Sequence, residues 1–235
     1  MDVVYICRNG DNEELRYSIR SVVANLPYDK IWVVGGKPDW YSGNHIPVPQ
    51  DQDKYSNARA NMKAIADPDS PISDDFILMN DDFFILKPIV SVPYYYSGSL
   101  ISKIDHLKKV YRRSAYITML MKSYRFLRRK GILDPLDYTL HIPFKMNKDK
   151  LRSIVDSGVS WRLAYGNIYE VGGEQVNVVS GNSKDVKVYL KDNKISDSPA
   201  NTITDTFLSS EDRSFEYLKD RLDGLFPEPS EFELP

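Results

Sequence analysis

Three short stretches in the first ninety residues are apolar without interruption: Val3-Val4-Tyr5-Ile6-Cys7, Ile31-Trp32-Val33-Val34 and Phe76-Ile77-Leu78-Met79. A strand that is apolar at every position has no face to offer to water, so both of its faces must be covered. Helical stripes separate the runs. Leu15, Ile19, Val22, Val23 and Leu26 recur at helical spacing and stop at Pro27, and a second helix is expected from about Asp53 to Ala66, with Tyr55, Ala58, Met62 and Ile65 on its apolar side. The pattern predicts an α/β fold, a largely parallel sheet with helices on both faces. Ligands of such sheets bind beyond the carboxyl ends of the strands. Arg8-Asn9-Gly10 and Asn80-Asp81-Asp82 lie there.

The second half is less regular. Ser102 to Lys130 contains neither Gly nor Pro and is expected to be largely helical, stopping at Gly131. Asn147 is placed to cap a helix through Asp156. Glu174 to Asp192 reads as strand with turns at Gly181-Asn182 and Asp192-Asn193, and Phe215, Leu218, Leu222 and Leu225 define a last helix. The chain divides into an α/β core over 1–100, a helical arm over 101–131 and an irregular remainder over 132–235.

Charge separates these parts. The whole chain of 235 residues carries a net charge of −2, which excludes a generally basic coat. Ser102 to Lys130, however, holds ten basic residues against Asp105 alone, while the section from Asp192 onward holds eleven acidic and four basic residues. At 42% hydrophobic and 27% charged, the chain is that of a globular protein rather than a disordered one. A single cysteine, Cys7, excludes an internal disulfide and a cysteine-based zinc site. Met1-Asp2-Val3-Val4 lacks the basic start of a signal peptide, and the longest uncharged run, Pro88 to Ser102, is interrupted by Pro93 and Gly98. A cytoplasmic protein without a membrane segment is expected.

Asn80-Asp81-Asp82 carries the sharpest chemical signal. Two carboxylates at the end of a buried strand do not serve packing, because an unpaired buried charge is costly. Hard oxygens at that edge suit Mg²⁺ or Mn²⁺ bridging a diphosphate; a polar turn capping its own amides is the plainer alternative. Arg8 and Asn9 precede a helix start at Asn12-Glu13-Glu14, a place where a phosphate can be cradled. Arg16 and Arg20 follow on one helix face, where a solvated salt-bridge face is the simpler reading. Lys54, Asn57 and Asn61 form a polar stripe leading toward the acidic pair. His141, in the apolar segment Tyr138 to Pro143, is a candidate general base or metal ligand, or a satisfied core histidine; His45 and His106 carry less signal. The sequence lacks dinucleotide, Walker, nucleophile-elbow and zinc-protease motifs.

Asp2-Val-Val-Tyr5, Asn12 to Ser21, the strand at Trp32, and Asp75-Phe-Ile-Leu-Met-Asn-Asp-Asp-Phe-Phe84 together resemble the stealth family of sugar-1-phosphate transferases. Tyr138 to Lys150 is similar to that family's third block, and Trp161 to Asn167 stands where an arginine block would fall. The compact form, with the first blocks fused, looks like short bacteriophage glycosyltransferases of the same lineage. The resemblance implies a GT-A-like nucleotide-sugar fold. It implies a UDP-sugar donor with Mn²⁺ or Mg²⁺ on Asp82 and Asp81, and Arg8, Asn9, Gly10 and Arg16 near the nucleotide. His141, Asp81 and Arg162 then surround the transferred group.

The basic arm, with Lys108, Lys109, Arg112, Arg113, Arg125, Arg128 and Arg129 and with Tyr111, Tyr116 and Tyr124 interleaved, suits a polyanion: cations for phosphates and rings for unstacked bases. Beside a phage-like transferase it suggests DNA bearing a hydroxymethylated pyrimidine, such as 5-hydroxymethylcytosine, as acceptor, the base flipped out of the duplex. Sugar-1-phosphate transfer, a protein or glycan acceptor, and a non-catalytic nucleic-acid-binding module are the alternatives.

Overall fold

The computed structural model describes residues 1–111, 114–176, 187–191, 194–196, 205–210 and 213–234. In chain order the first elements are β1 (Asp2–Cys7), α1 (Glu13–Asn25), β2 (Ile31–Gly35), β3 (Asn44–Pro47), α2 (Lys54–Ala66), β4 (Asp75–Asn80) and β5 (Phe83–Ile85). Next come β6 (Tyr95–Tyr96), α3 (Leu100–Val110), α4 (Ala115–Arg129), β7 (Phe144–Asn147), α5 (Lys148–Arg152) and α6 (Trp161–Ile168). The remainder comprises β8 (Glu174–Gln175), β9 (Lys187–Lys191), β10 (Lys194–Ser196), β11 (Phe207–Ser210) and α7 (Phe215–Leu225).

The three apolar runs become β1, β2 and β4, adjacent in a five-stranded sheet of order β3-β2-β1-β4-β7. Val3 lies opposite Ile31 on one side and Ile77 on the other, both in parallel register. Only β7 runs antiparallel, with Leu78 opposite Phe144. Alternation along the buried strands sorts the core into two layers. Val3, Tyr5, Val33, Ile77 and Met79 pack with Leu15, Ile19 and Val22 of α1. Val4, Trp32, Val34, Phe76 and Leu78 pack with Met62 and Ile65 of α2 and with Phe144 and Met146 of β7. The chain therefore winds outward from β1 through β2 to β3 and then returns to β4 on the other side of β1. The crevice between the ends of β1 and β4 is the switch point where α/β sheets bind ligands.

A second sheet, β10-β9-β11-β5, grows from the far side of the Asp81-Asp82 turn. Phe83 pairs with Ser209, and Ser209 in turn with Lys187. Tyr17, Phe84, Val188 and Leu208 bury this sheet against Phe215, Leu218 and Leu222 of α7.

Local chemistry sets the element boundaries. Asn12 caps α1 by accepting from Leu15 N at 3.0 Å, and Asp53 caps α2 by accepting from Tyr55 N and Ser56 N. The arm is largely helical, as expected, and is built from two helices. It breaks into α3 and α4, because Tyr111 is extended and Ser114 caps α4 by accepting from Ile117 N at 3.1 Å. The resulting hairpin buries Leu100 and Ile104 against Leu120, Leu127 and Leu163 of α6. Gly131, at φ 86°, ends α4 as expected. The helix capped by Asn147 is shorter than expected; a 3₁₀ turn at Val155–Ser157 follows it and ends at Gly158, φ 70°. Val23, Tyr55 and Leu225, assigned to apolar helix faces, are exposed instead. The turn expected at Gly181-Asn182 and that at Asp192-Asn193 lie outside the described residues, as do Arg112 and Arg113. Among the described residues no helix is long and apolar enough to cross a membrane.

Candidate functional site

The turn between β4 and β5 puts Asp81 and Asp82 at the switch point, facing different surroundings. Asp81 is anchored to α1: its Oδ2 accepts from Asn12 Nδ2 at 2.7 Å, and Asn12 Oδ1 caps that helix. It opens onto a cleft of about 280 Å³ lined by Arg8, Asn9, Asn12, Phe215 and Lys219, and by the carboxylates of Asp11, Glu13, Glu14 and Glu216. This is the helix start expected to cradle a phosphate. With five acidic side chains against Arg8 and Lys219 it is a poor place for one, since each added negative charge is repelled.

Asp82 faces the opposite way, into cations. Its Oδ2 lies 4.0 Å from His141 Nδ1, and its backbone oxygen accepts from Ser210 N at 3.2 Å, so β11 holds the turn from the second sheet. Arg162, buried on α6, donates from Nη1 to Leu140 O at 3.0 Å; its guanidinium lies 5.4 Å from the Phe83 ring centre and 5.3 Å from that of Phe144. The rings of Phe83 and His141 meet edge to face at 6.0 Å. Around this one turn three buried polar atoms have no hydrogen-bond partner: Asp82 Oδ1, His141 Nδ1 and Arg162 Nη2. Buried polar groups are ordinarily paired, and leaving one unpaired costs about 1–3 kcal/mol. Three together suit a polar ligand or a buried water.

The electrostatics follow from burial and from these neighbours. Burial, then the Asp81 charge, raises the Asp82 carboxyl to about 6 against the pull of Lys187 and Arg162. Burial, followed by Lys187, Arg162, Lys103 and Lys54, holds the His141 ring down to about 3. Burial lowers the Arg162 guanidinium to about 10, with Asp82 acting against it. Held down in this way, the His141 ring is neutral at physiological pH. A neutral imidazole surrounded by cations is suited to act as a ligand or acceptor.

Of the remaining expected residues, Arg8, Asn9 and Gly10 are exposed at the end of β1, with Gly10 at φ 119°. Lys54 is exposed in the first turn of α2, near enough for its charge to act on His141. Three others are committed elsewhere. Arg16 donates to Glu13 at 3.1 Å and to Glu233 at 2.8 Å and stacks on Trp40 at 4.3 Å, so it serves the salt-bridge face and the C-terminal segment. Asn57 donates to Gln52 O at 2.9 Å and accepts from Gln52 N at 3.1 Å. Asn61 is 2% exposed; it donates to Cys7 O at 3.3 Å and accepts from Gln50 at 2.8 Å, bracing the strand ends from below.

Lys187 was not foreseen. It lies in a run of alternating residues with no neighbouring motif, and it reaches the site only because β11 sets it two strands from Phe83. No local signal carries that information. Lys103 is a second surprise: it belongs to the basic arm yet donates to Asp137 Oδ2 and Thr139 Oγ1, each at 2.7 Å, two residues before His141.

A divalent ion fits this turn only with help. Asp82 Oδ1 and His141 Nδ1 supply one hard oxygen and one imidazole nitrogen, and a substrate's phosphates and water can complete the shell of Mn²⁺ or Mg²⁺. Among the described residues no three His, Cys, Asp or Glu side chains group as metal ligands, so the protein alone forms no closed site.

No family model matches the chain. No curated protein sequence matches it. Among solved structures it is similar to the glycosyltransferase GlyE of Streptococcus pneumoniae TIGR4. For the apo form the TM-score is 0.29 at 10% identity, covering 72% of this chain and 64% of that one. For a second GlyE structure the score is 0.30 at 9% identity with the same coverage. The match spans less than two-thirds of GlyE, and at this TM-score it carries no argument about fold or activity.

Proposed function

We propose that this protein is a GT-A-like glycosyltransferase that takes a sugar from a nucleotide-diphosphate donor, with a UDP-sugar as the first donor class to test. The observation that carries the reading is the trio of unpartnered buried atoms on Asp82, His141 and Arg162 at the switch point of a parallel sheet. A diphosphate would pair with Arg162 Nη2, and Lys187 and Lys54 would add charge compensation on the same side. A Mn²⁺ or Mg²⁺ ion, held by Asp82 and His141 together with that diphosphate, would supply further compensation for the leaving group.

The acidic cleft on the Asp81 side suits the acceptor. A hydroxyl entering there meets a carboxylate fixed by Asn12. The acceptor oxygen forms the new bond to the anomeric carbon. The bond from that carbon to the diphosphate oxygen breaks with its electron pair, and the hydroxyl proton passes to Asp81. The turn thus sets an anionic group, for the proton, next to a cationic surrounding, for the leaving group.

The test is release of nucleoside diphosphate from a panel of nucleotide sugars, with and without Mn²⁺. Turnover that is lost in Asp82→Asn and Arg162→Ala, with both proteins folded, supports the reading. Absence of binding and turnover for every donor in the panel sinks it.

A further inference from the structure

The cleft at Asp81 repels phosphate, so a phosphate-bearing acceptor that reaches it must be held from outside. The arm has the means. Among the described residues Lys108, Lys109, Lys122, Arg125, Arg128, Arg129 and Lys130 are exposed on α3, α4 and the residue after it, against Asp105 as the arm's only acid. Spacings of three and four residues set Lys122, Arg125 and Arg129 on one face of α4, along about 10 Å of helix. Arg128 is turned aside to donate to Leu133 O, and Lys103 is spent on buried Asp137. A solvated helix face ordinarily mixes signs; this one does not.

The aromatic residues decide which polyanion fits. On α4 the Tyr116 hydroxyl is tied to Thr139 Oγ1 at 2.9 Å with Lys103 5.8 Å from its ring centre, and Tyr124 packs into the α3–α4 interior, which leaves the exposed ring of Tyr111 at the end of α3, off the α4 face. Cations on the Lys122-Arg125-Arg129 face, with no exposed ring among them, suit backbone phosphate rather than unstacked bases. They also lack the row of large apolar side chains with which a helix enters a membrane interface. The arm is mechanically joined to the site as well. Lys103 of α3 and Tyr116 of α4 both bond Thr139, two residues before His141.

We infer that the Lys122-Arg125-Arg129 face of α4 docks the phosphate backbone of duplex nucleic acid; that this duplex carries the acceptor hydroxyl rests on the glycosyltransferase reading above. The full-length protein is titrated with a short DNA duplex, a single strand of equal length, and phosphatidylglycerol vesicles over a range of salt. Duplex binding should be the tightest, and its salt exponent should fall by about 0.9 for each phosphate contact removed. The triple variant Lys122→Glu, Arg125→Glu, Arg129→Glu should lose that binding, and the milder triple change to Gln should weaken it and flatten its salt dependence. Unchanged duplex affinity in both triple variants overturns the inference. So does tighter binding of single strands, or of vesicles, which would assign the face to a membrane surface. Donor turnover is followed on the same samples. Duplex binding without any turnover in the wild-type protein counts against the enzymatic reading alone; turnover that persists without duplex binding counts against the docking face alone.

Discussion

Lys103 Nζ lies 2.7 Å from Asp137 Oδ2, with the carboxylate fully buried and the lysine side chain 22% exposed. Ser97 donates to the same carboxylate, and Thr139 donates to it from both its backbone N and its Oγ1. Burial alone would raise the Asp137 carboxyl, but Lys103, Ser97 and Thr139 more than offset it and hold it below its ordinary value. Removing one partner of a buried pair strands the other, at a cost of about 3–5 kcal/mol. Lys103→Met should therefore lower stability by that amount in urea unfolding. The double variant Lys103→Met, Asp137→Leu should recover part of the loss. A single variant as stable as the wild type would show the pair to be idle.

The C-terminal segment predicts an acid response. Glu233 accepts from Arg20 at 2.8 and 2.7 Å and from Arg16 at 2.8 Å. Burial would raise its carboxyl, but Arg20, Ser230 N and Arg16 together lower it from 4.5 to about 2. A depressed carboxyl contributes stability that is complete above the unfolded value and is lost as pH falls through the folded one. Allowing for solvent screening, the contribution is about 2 kcal/mol, and it disappears between about pH 4.5 and 2. Glu233→Gln should cost about that much at pH 7 and make the unfolding midpoint less sensitive to pH over this window.

At the site, Asp82→Asn should reduce donor turnover by roughly 10²–10³-fold, the scale for losing a charge-stabilising group. Arg162→Lys keeps a positive charge but loses the planar fork, so donor KM should rise more than kcat falls. An unchanged KM for Arg162→Lys would show that the guanidinium does not touch the donor.

Two adjacent glycines separate stability from binding. Gly35 has φ 109°, and a Cβ there would stand 2.2 Å from Cys7 O; Gly35→Ala should destabilise the protein by about 1–3 kcal/mol or more. Gly36 has ordinary φ, but its Cβ would meet Arg8 C and Asn9 N at 2.4 Å. Gly36→Ala should push the Arg8-Asn9 turn into the cleft assigned to the acceptor and raise the acceptor KM, measured by donor turnover, more than it lowers the melting temperature.

The sheet around β1, β2 and β4 could be read from the sequence because each carries an uninterrupted apolar run, although the return of β4 to the side of β1, rather than of β3, is set by how the chain winds. The placement of Asp81 and Asp82 followed from the strand before them. The division between them did not: it depends on Asn12 taking one carboxylate and on Arg162 and Lys187 surrounding the other. Asn61 looked like part of a polar helix stripe, and its burial under Cys7 becomes visible only when α2 is laid on the sheet. The break between α3 and α4 was hidden because Ser114 is a weak signal unless the hairpin it permits is known to be buried.

β5 and β11 have a consequence for synthesis. Ile85 waits for Phe207, and Asp82 O waits for Ser210 N, while everything between them is being made. Translation delivers about 5–20 residues per second, so β5 emerges seconds before its partner and meanwhile presents an apolar open edge. The α/β core can assemble on the ribosome with its switch point formed and Lys187 still missing. Newly made protein should thus pass through a folded but incompletely charged state, and overexpression should favour chain-to-chain pairing at Phe83-Phe84-Ile85.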